Sequence, residues 1–227
     1  MKRSLTLLVL AFLSLSSATA FSQAAYFMVY DAKGQVTARN EYVDVTGSPY
    51  LSPDWVTGSF TLANGKSYSD MKIKYDLVKD MMYVKGGDDD LIRLLEPVKE
   101  FKLNVPVSGG MDVRFYKSGY SNIPNTTNSY FFEVLADGKT QLLKKATKIV
   151  QVNKEYNSAT ATKSFEDITK YYIYADGKGT LVKKDKKSIL AALGSKQTEL
   201  EAYIKENKLN VKSDVGFAKL IEYYNTL

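Results

Sequence analysis

The chain reads as an α+β protein: mainly antiparallel β structure, folded as hairpins or a meander into a sandwich or half-barrel, then two to three C-terminal α-helices. Three observations predict this. Short stretches between residues 56 and 107 alternate apolar and polar side chains with a period of two. Turn residues separate those stretches at Asn64-Gly65, Gly86-Gly87 and Gly109-Gly110. In the last forty or so residues the apolar spacing changes to three and four, the helical period.

The first element is an address. Lys2 and Arg3 precede an apolar run, Leu5 to Leu15, broken only by Thr6 and Ser14, and Ala18-Thr19-Ala20 follows as a small-residue cleavage site. This order is that of a secretory signal peptide cut after Ala20. The run is near half the about 20 apolar residues that a spanning helix needs. No later segment is long enough either, so no transmembrane segment is expected in the mature chain. Residues 21–120 are then expected to form an N-terminal antiparallel β region. Residues 121–227 add hairpins and helices, unless 21–227 is one continuous domain.

Tyr26 to Tyr30 is continuously apolar, as in a strand buried on both faces. Val56, Gly58, Phe60 and Leu62 alternate with Thr and Ser, and Met71, Ile73, Tyr75 and Leu77 alternate with Lys and Asp. Asn64-Gly65 between them predicts one hairpin with a type I′ turn. Met81 to Lys85 and Leu91 to Leu95 flank the turn at residues 86–90. Phe101, Leu103, Val105 and Val107 make another strand, and Pro106 places that stretch at an edge or a strand end. Met111 to Tyr116 follows, and the polar stretch Ser118 to Ser129 reads as a loop or a link between lobes.

Phe132 to Lys145 and Tyr171 to Lys184 resemble each other, each with a strand, an Asp-Gly turn and a Lys-Lys pair. Antiparallel proteins reuse good turns, and the uneven spacing of these turns favours that account over a stacked repeat. Ile189, Leu190 and Leu193 define a short helix stopped by Gly194. Ser195 is expected to cap a second, running to about Asn207 with Leu200, Tyr203 and Ile204 on one face. Ser213 is expected to cap a third carrying Phe217, Leu220, Ile221 and Tyr224.

Composition excludes more than it suggests. The 227 residues include no Cys and no His. Disulfides, thiolate nucleophiles, Ser-His-Asp catalysis, the His-Glu-x-x-His zinc site and lipid attachment through Cys are therefore absent. The chain has a net charge of +6. The excess lies late: residues 141–227 hold 16 Lys and 10 Asp or Glu, densest at Lys183, Lys184, Lys186 and Lys187. That cluster reads as a solvated turn leading into a helix. An exported chain is not expected to meet nucleic acid.

Several short patterns bear on chemistry. Ser69-Asp70-Met71-Lys72 matches the S-x-x-K nucleophile motif, but in an alternating strand Ser and Lys three apart point to opposite faces. Asp88-Asp89-Asp90 offers oxygen ligands for a hard cation, yet Lys99 stands where an EF-hand loop needs Glu, and an acidic hairpin tip explains the run. A carboxylate pair for glycoside hydrolysis is open to the chain's Glu residues, although no local motif selects two of them. Asn125-Thr126-Thr127 matches a glycosylation acceptor, expected to be idle because export without any Cys fits a bacterial periplasm or extracellular space best. The best binding residues are Tyr50 and the single Trp, Trp55, in the turn-rich stretch Gly47 to Trp55. Aromatic groups on such a loop stack on sugar rings or insert into a partner.

Two stretches together carry a resemblance. One runs from Gly47-Ser48-Pro49-Tyr50 through Gly58, Leu62, Asn64-Gly65-Lys66, Tyr68 and Lys74-Tyr75-Asp76-Leu77 to Val98 and Phe101. The other runs from Tyr171-Tyr172-Ile173 through Asp176-Gly177-Lys178, Lys183-Lys184-Asp185-Lys186-Lys187 and Ile204-Lys205-Glu206-Asn207-Lys208-Leu209 to Tyr223-Tyr224. They resemble a family of exported β-rich proteins common in Bacteroidota, over about half of the mature chain. The resemblance implies a Gram-negative envelope setting and no activity, cofactor or functional residue.

The expectation is an exported, non-enzymatic binding or envelope-support protein without a cofactor, periplasmic or extracellular and not a lipoprotein. Its partner would be another envelope protein, a glycan or a lipid. Two rivals are a periplasmic acyl carrier with a concave β face and a carboxylate-dependent glycan hydrolase.

Overall fold

The computed structural model describes residues 42, 44–87, 90–154 and 161–227. Lys2, Arg3, Ala20, the run Tyr26 to Tyr30, Asp88 and Asp89 lie outside them. The described residues form one open, mainly antiparallel sheet of eleven strands followed by three helices, the α+β class that the patterning predicts.

The strands are β1 (Val45–Thr46), β2 (Val56–Leu62), β3 (Ser67–Asp76), β4 (Met81–Lys85), β5 (Leu91–Arg93), β6 (Val98–Val107), β7 (Gly110–Lys117), β8 (Phe132–Ala136), β9 (Thr140–Lys154), β10 (Ala161–Ala175) and β11 (Lys178–Val182). Across the sheet the order is β1-β10-β9-β8-β7-β6-β2-β3-β4-β5, with β11 also on β10. β1 pairs parallel to β10, Val45 opposite Lys163, and the other ladders are antiparallel.

β2 shows why these strands form. Val56, Gly58, Phe60 and Leu62 are buried while the intervening residues are half-buried, so the two-residue period puts one face into the core. Gly58 is needed for close approach: a Cβ there would lie 2.2 Å from the Lys102 carbonyl oxygen of β6. Pro106 falls beyond the last residue paired to β2, Asn104, at the strand end where its missing N–H costs no ladder bond. Asp70 takes a positive φ of 55° where the β2–β3 register shifts, so the S-x-x-K stretch lies in a bulged strand.

The β2–β3 connection corrects the expected turn. Gly65 N–H bonds to Leu62 O and Leu62 N–H to Lys66 O, which makes a three-residue loop. Gly65 has φ 87° and Asn64 no positive φ, the geometry of a type I turn with a glycine bulge. The type I′ turn occurs at Asp176-Gly177 (φ 50° and 74°), where Ala175 pairs with Lys178.

Helix α1 (Lys186–Leu193) starts at Asp185, whose side chain accepts from Ser188 N–H, and stops at Gly194. Helix α2 (Gln197–Glu206) begins at Lys196 in a left-handed conformation without a side-chain cap. The expected Ser195 cap is not made; its hydroxyl lies 3.0 Å from that of Tyr224 instead. Helix α3 (Asp214–Tyr224) is capped by Ser213 as expected.

Three hydrophobic clusters organise the sheet. The first fills the curl of β2 to β7 with Tyr75, Phe101, Tyr116, Phe131 and aliphatic neighbours. The second packs the helices, through Ile189, Leu200, Phe217 and Leu220, onto Leu142, Tyr171 and Ile173 of β9 and β10. The third seats Tyr120 and Ile123 of the 118–129 loop on the opposite face, against Leu143 and Tyr172. The sheet continues across residue 120, because Tyr116 of β7 pairs with Glu133 of β8. The curl brings the end of β3 to β9, where Lys148 N–H bonds to the Leu77 carbonyl (3.0 Å).

Candidate functional site

Tyr50 and Trp55 come together. The segment before β2 is fastened to the end of β3: Leu51 N–H bonds to Tyr75 O and Leu77 N–H to Pro49 O, both at 2.9 Å. Pro49 is buried by this pairing, and its neighbour Tyr50 forms an isolated bridge with Asp76. Lys148 of β9 donates to the Ser48 carbonyl (2.7 Å) and fixes the loop from the other side. Trp55 stands one residue before β2.

These anchors shape a cavity of about 480 Å³ lined by Tyr42, Tyr50, Trp55, Asp54, Lys74 and Phe165, among others. The Lys74 ammonium lies 5.0 Å from the Tyr50 ring centre and 4.9 Å from that of Trp55, a cation between two π faces. Phe165 of β10 meets Tyr42 edge-on at 5.3 Å. The Tyr42 hydroxyl donates to Asp76 Oδ2 (3.1 Å). Asp76 is buried and also accepts from the Val78 and Lys79 backbone N–H groups. The pocket thus combines aromatic faces, the Lys74 cation and the Asp54 carboxylate, beside a backbone pinned at residues 48–51. Lys74, Tyr42 and Phe165 were not singled out by the sequence. Phe165 is carried in by the β1–β10 pairing, and no local pattern encodes that.

The Asp88–Asp90 run is described only at Asp90, which is exposed and accepts from Gly86 N–H through its backbone carbonyl (2.8 Å). Among the described residues no group of three or more Asp or Glu is placed to hold a metal ion. Lys72 of the S-x-x-K stretch donates to Thr57 Oγ1 (2.9 Å).

Two charge networks flank β9. Lys144 and Lys145 are adjacent and therefore point to opposite faces. On the helix face, Lys144 Nζ lies 2.9 Å from Asp214 Oδ2 and 3.3 Å from Glu133 Oε2. Lys184 Nζ (2.7 Å) and the Tyr171 hydroxyl (2.8 Å) both donate to Asp214 Oδ1. Partial burial pushes the Asp214 carboxyl up, but hydrogen bonds from Lys184, Lys144 and Tyr171 outweigh it and hold the group at about 2. Lys184 and Lys186 are thus in ion pairs, the latter with Glu201 at 3.0 Å, so two of the four clustered lysines fasten helices. Glu133 and Asp214 are a carboxylate pair bridged by a lysine, with Asp214 ionised where a general acid would need its proton.

On the other face, Lys145 Nζ lies 2.5 Å from Asp80 Oδ1 and donates to the Phe131 carbonyl (2.9 Å). Burial pushes the Lys145 ammonium down against the opposing pull of Asp80. Asp80 also accepts from the Tyr75 hydroxyl and from Phe131 N–H (3.0 Å). An open groove of about 840 Å³ runs past this corner, lined by Asp80, Met81, Met82, Leu94, Leu95 and Phe131 among others.

Comparison with protein-family models, with curated proteins and with solved structures finds no match to this chain.

Proposed function

We propose that the chain is an exported, non-enzymatic binding protein of the bacterial envelope that takes a glycan at the Tyr50–Trp55 pocket. The observation that carries this reading is the placement of Tyr50, Trp55 and Lys74 around one cavity of about 480 Å³. A sugar presents an apolar face of C–H groups and a rim of hydroxyls. The first suits aromatic rings and the second suits Lys74 and Asp54 at the same cavity. The anchoring of residues 48–51 to β3 and β9 supplies preorganisation, which lowers the entropy lost on binding.

Lys74 already lies against both rings, so a ligand must take over its contacts. A sugar carrying a carboxylate does this best, since it pairs with the ammonium as the rings are covered. The test is affinity electrophoresis through gels containing soluble neutral and acidic polysaccharides. Retardation of the native chain by at least one, with Trp55→Ala and Tyr50→Ala migrating freely, is the expected outcome. Equal migration of native and variant chains in every gel would remove the reading.

A further inference from the structure

We infer that Lys145 and Asp80 join as an intramolecular isopeptide bond, a covalent cross-link between β9 and the β3–β4 corner. Both side chains are nearly buried, Lys145 at 6% and Asp80 at 10% exposed, with Nζ 2.5 Å from Oδ1. The amine is aimed: it donates to the Phe131 carbonyl and sits 4.9 Å from the Tyr130 ring centre and 5.7 Å from that of Phe132. The carboxyl is polarised on both oxygens. The Tyr75 hydroxyl donates to Oδ1 and Phe131 N–H donates to Oδ2. Two donors placed on a carboxyl stabilise the oxyanion that forms when its carbon is attacked.

The reaction starts from the neutral amine, and the burial of Lys145 favours that form. Moving one proton from the ammonium to the carboxylate gives the amine and acid that react. The lowered proton affinity of Lys145 agrees with this. The amine nitrogen then attacks Asp80 Cγ, and the N–C bond forms. The tetrahedral centre expels one carboxyl oxygen, which leaves as water with the transferred proton and a second amine proton. Ammonium plus carboxylate thus becomes amide plus water, with no change of oxidation state and no further reactant. Holding the amine against the carboxyl makes the step intramolecular and removes the cost of a bimolecular encounter. The water has an exit, because Asp80 lines the open groove.

The position also has a use. Asp80 takes a positive φ of 56°, a left-handed conformation that Asp enters more readily than most residues, at the corner between β3 and β4. The bond would close the curl of the sheet at the point where β9 meets the first cluster. The chain has no Cys with which to do this by disulfide.

The test is the intact mass of the purified, denatured chain beside its Lys145→Arg variant. Arginine keeps a cation for Asp80 and forms no amide at this site. The expected result is a native chain lighter than its sequence by one water and a variant at its full sequence mass. Protease digestion should yield a branched peptide joining residues 80 and 145, with no tryptic cut after Lys145. A native chain at full mass, cleaved after Lys145, overturns the proposal and leaves a buried ion pair. A lost water mapping to Asp80 alone, as a succinimide, overturns it equally. Both readouts are made on the native chain, so they stand even if the variant fails to fold.

Discussion

Asp214→Asn removes the anion that joins helix α3 to the sheet. Asp214 accepts from Lys144, Lys184 and Tyr171, and it lies in the first turn of its helix, where a negative charge also meets the helix dipole. Its carboxyl is held at about 2 against an ordinary 3.8. At 1.36 kcal/mol per unit of pKa that difference is worth about 2.5 kcal/mol. The side chain is 30% exposed, and solvent screening reduces the contribution to about 1–2 kcal/mol. Because the folded-state value is the lower one, the stabilisation is fully present above the unfolded value near 4. It is lost as pH falls through about 2, with about half gone by pH 3. Urea unfolding of native and variant chains at pH 7 and pH 3 measures this. The difference in midpoint should halve at the lower pH, with unchanged slopes. A variant as stable as the native chain at pH 7, or a deficit of the same size at both pH values, would refute the reasoning.

Phe217→Ala empties the centre of the helix cluster, where Phe217 is fully buried, and should cost about 3–5 kcal/mol in urea unfolding; a loss below about 1 kcal/mol would contradict the packing. Gly58→Ala sets a methyl 2.2 Å from the Lys102 carbonyl oxygen and 3.1 Å from Ile73 and Leu103 side-chain carbons. It should lower stability by about 1–3 kcal/mol, seen as a fall in Tm, and an unchanged Tm would show that β2 and β6 part freely. A protease cut engineered between Ser118 and Ser129 should not release two folded pieces, because Tyr120 and Ile123 of this loop are core residues and β7 pairs with β8 across it. Size-exclusion chromatography with circular dichroism checks this, and two separately folded fragments would divide the chain near residue 120.

Much of this architecture was legible because it is local. β2, β3 and β6 follow from alternation, β4 and β7 from the glycine turns beside them, and the Gly194 and Ser213 helix boundaries from residues that favour those conformations. Errors arose where tertiary contacts chose among local options. Asn64-Gly65 permits a type I′ turn, but Leu62 bonds to both Gly65 and Lys66, and the loop takes three residues. Ser195 can cap a helix, yet its hydroxyl meets Tyr224. The buried lysine was hidden for a related reason. Lys144 and Lys145 read only as a Lys-Lys pair following a turn, whereas the first part of β9 is covered on both faces, and each lysine finds a carboxylate distant in sequence. In the pocket, Tyr50 and Trp55 stood out as aromatic residues in a turn-rich stretch. Lys74 looked like an ordinary polar position of β3, and Phe165 arrives only through sheet pairing.

The central claim, that a glycan binds at the Tyr50–Trp55 pocket, can be tested with a built-in probe. Trp55 is the only Trp in the chain, so its emission reports on the cavity without labelling. Titration with neutral and acidic oligosaccharides should give a saturable change in Trp55 fluorescence for at least one of them. Lys74→Ala should weaken the response to the acidic sugars by about tenfold, the factor for about 1.4 kcal/mol. Emission that stays constant across the panel, while the native chain still binds a glycan by calorimetry, would place the binding site elsewhere and contradict the claim.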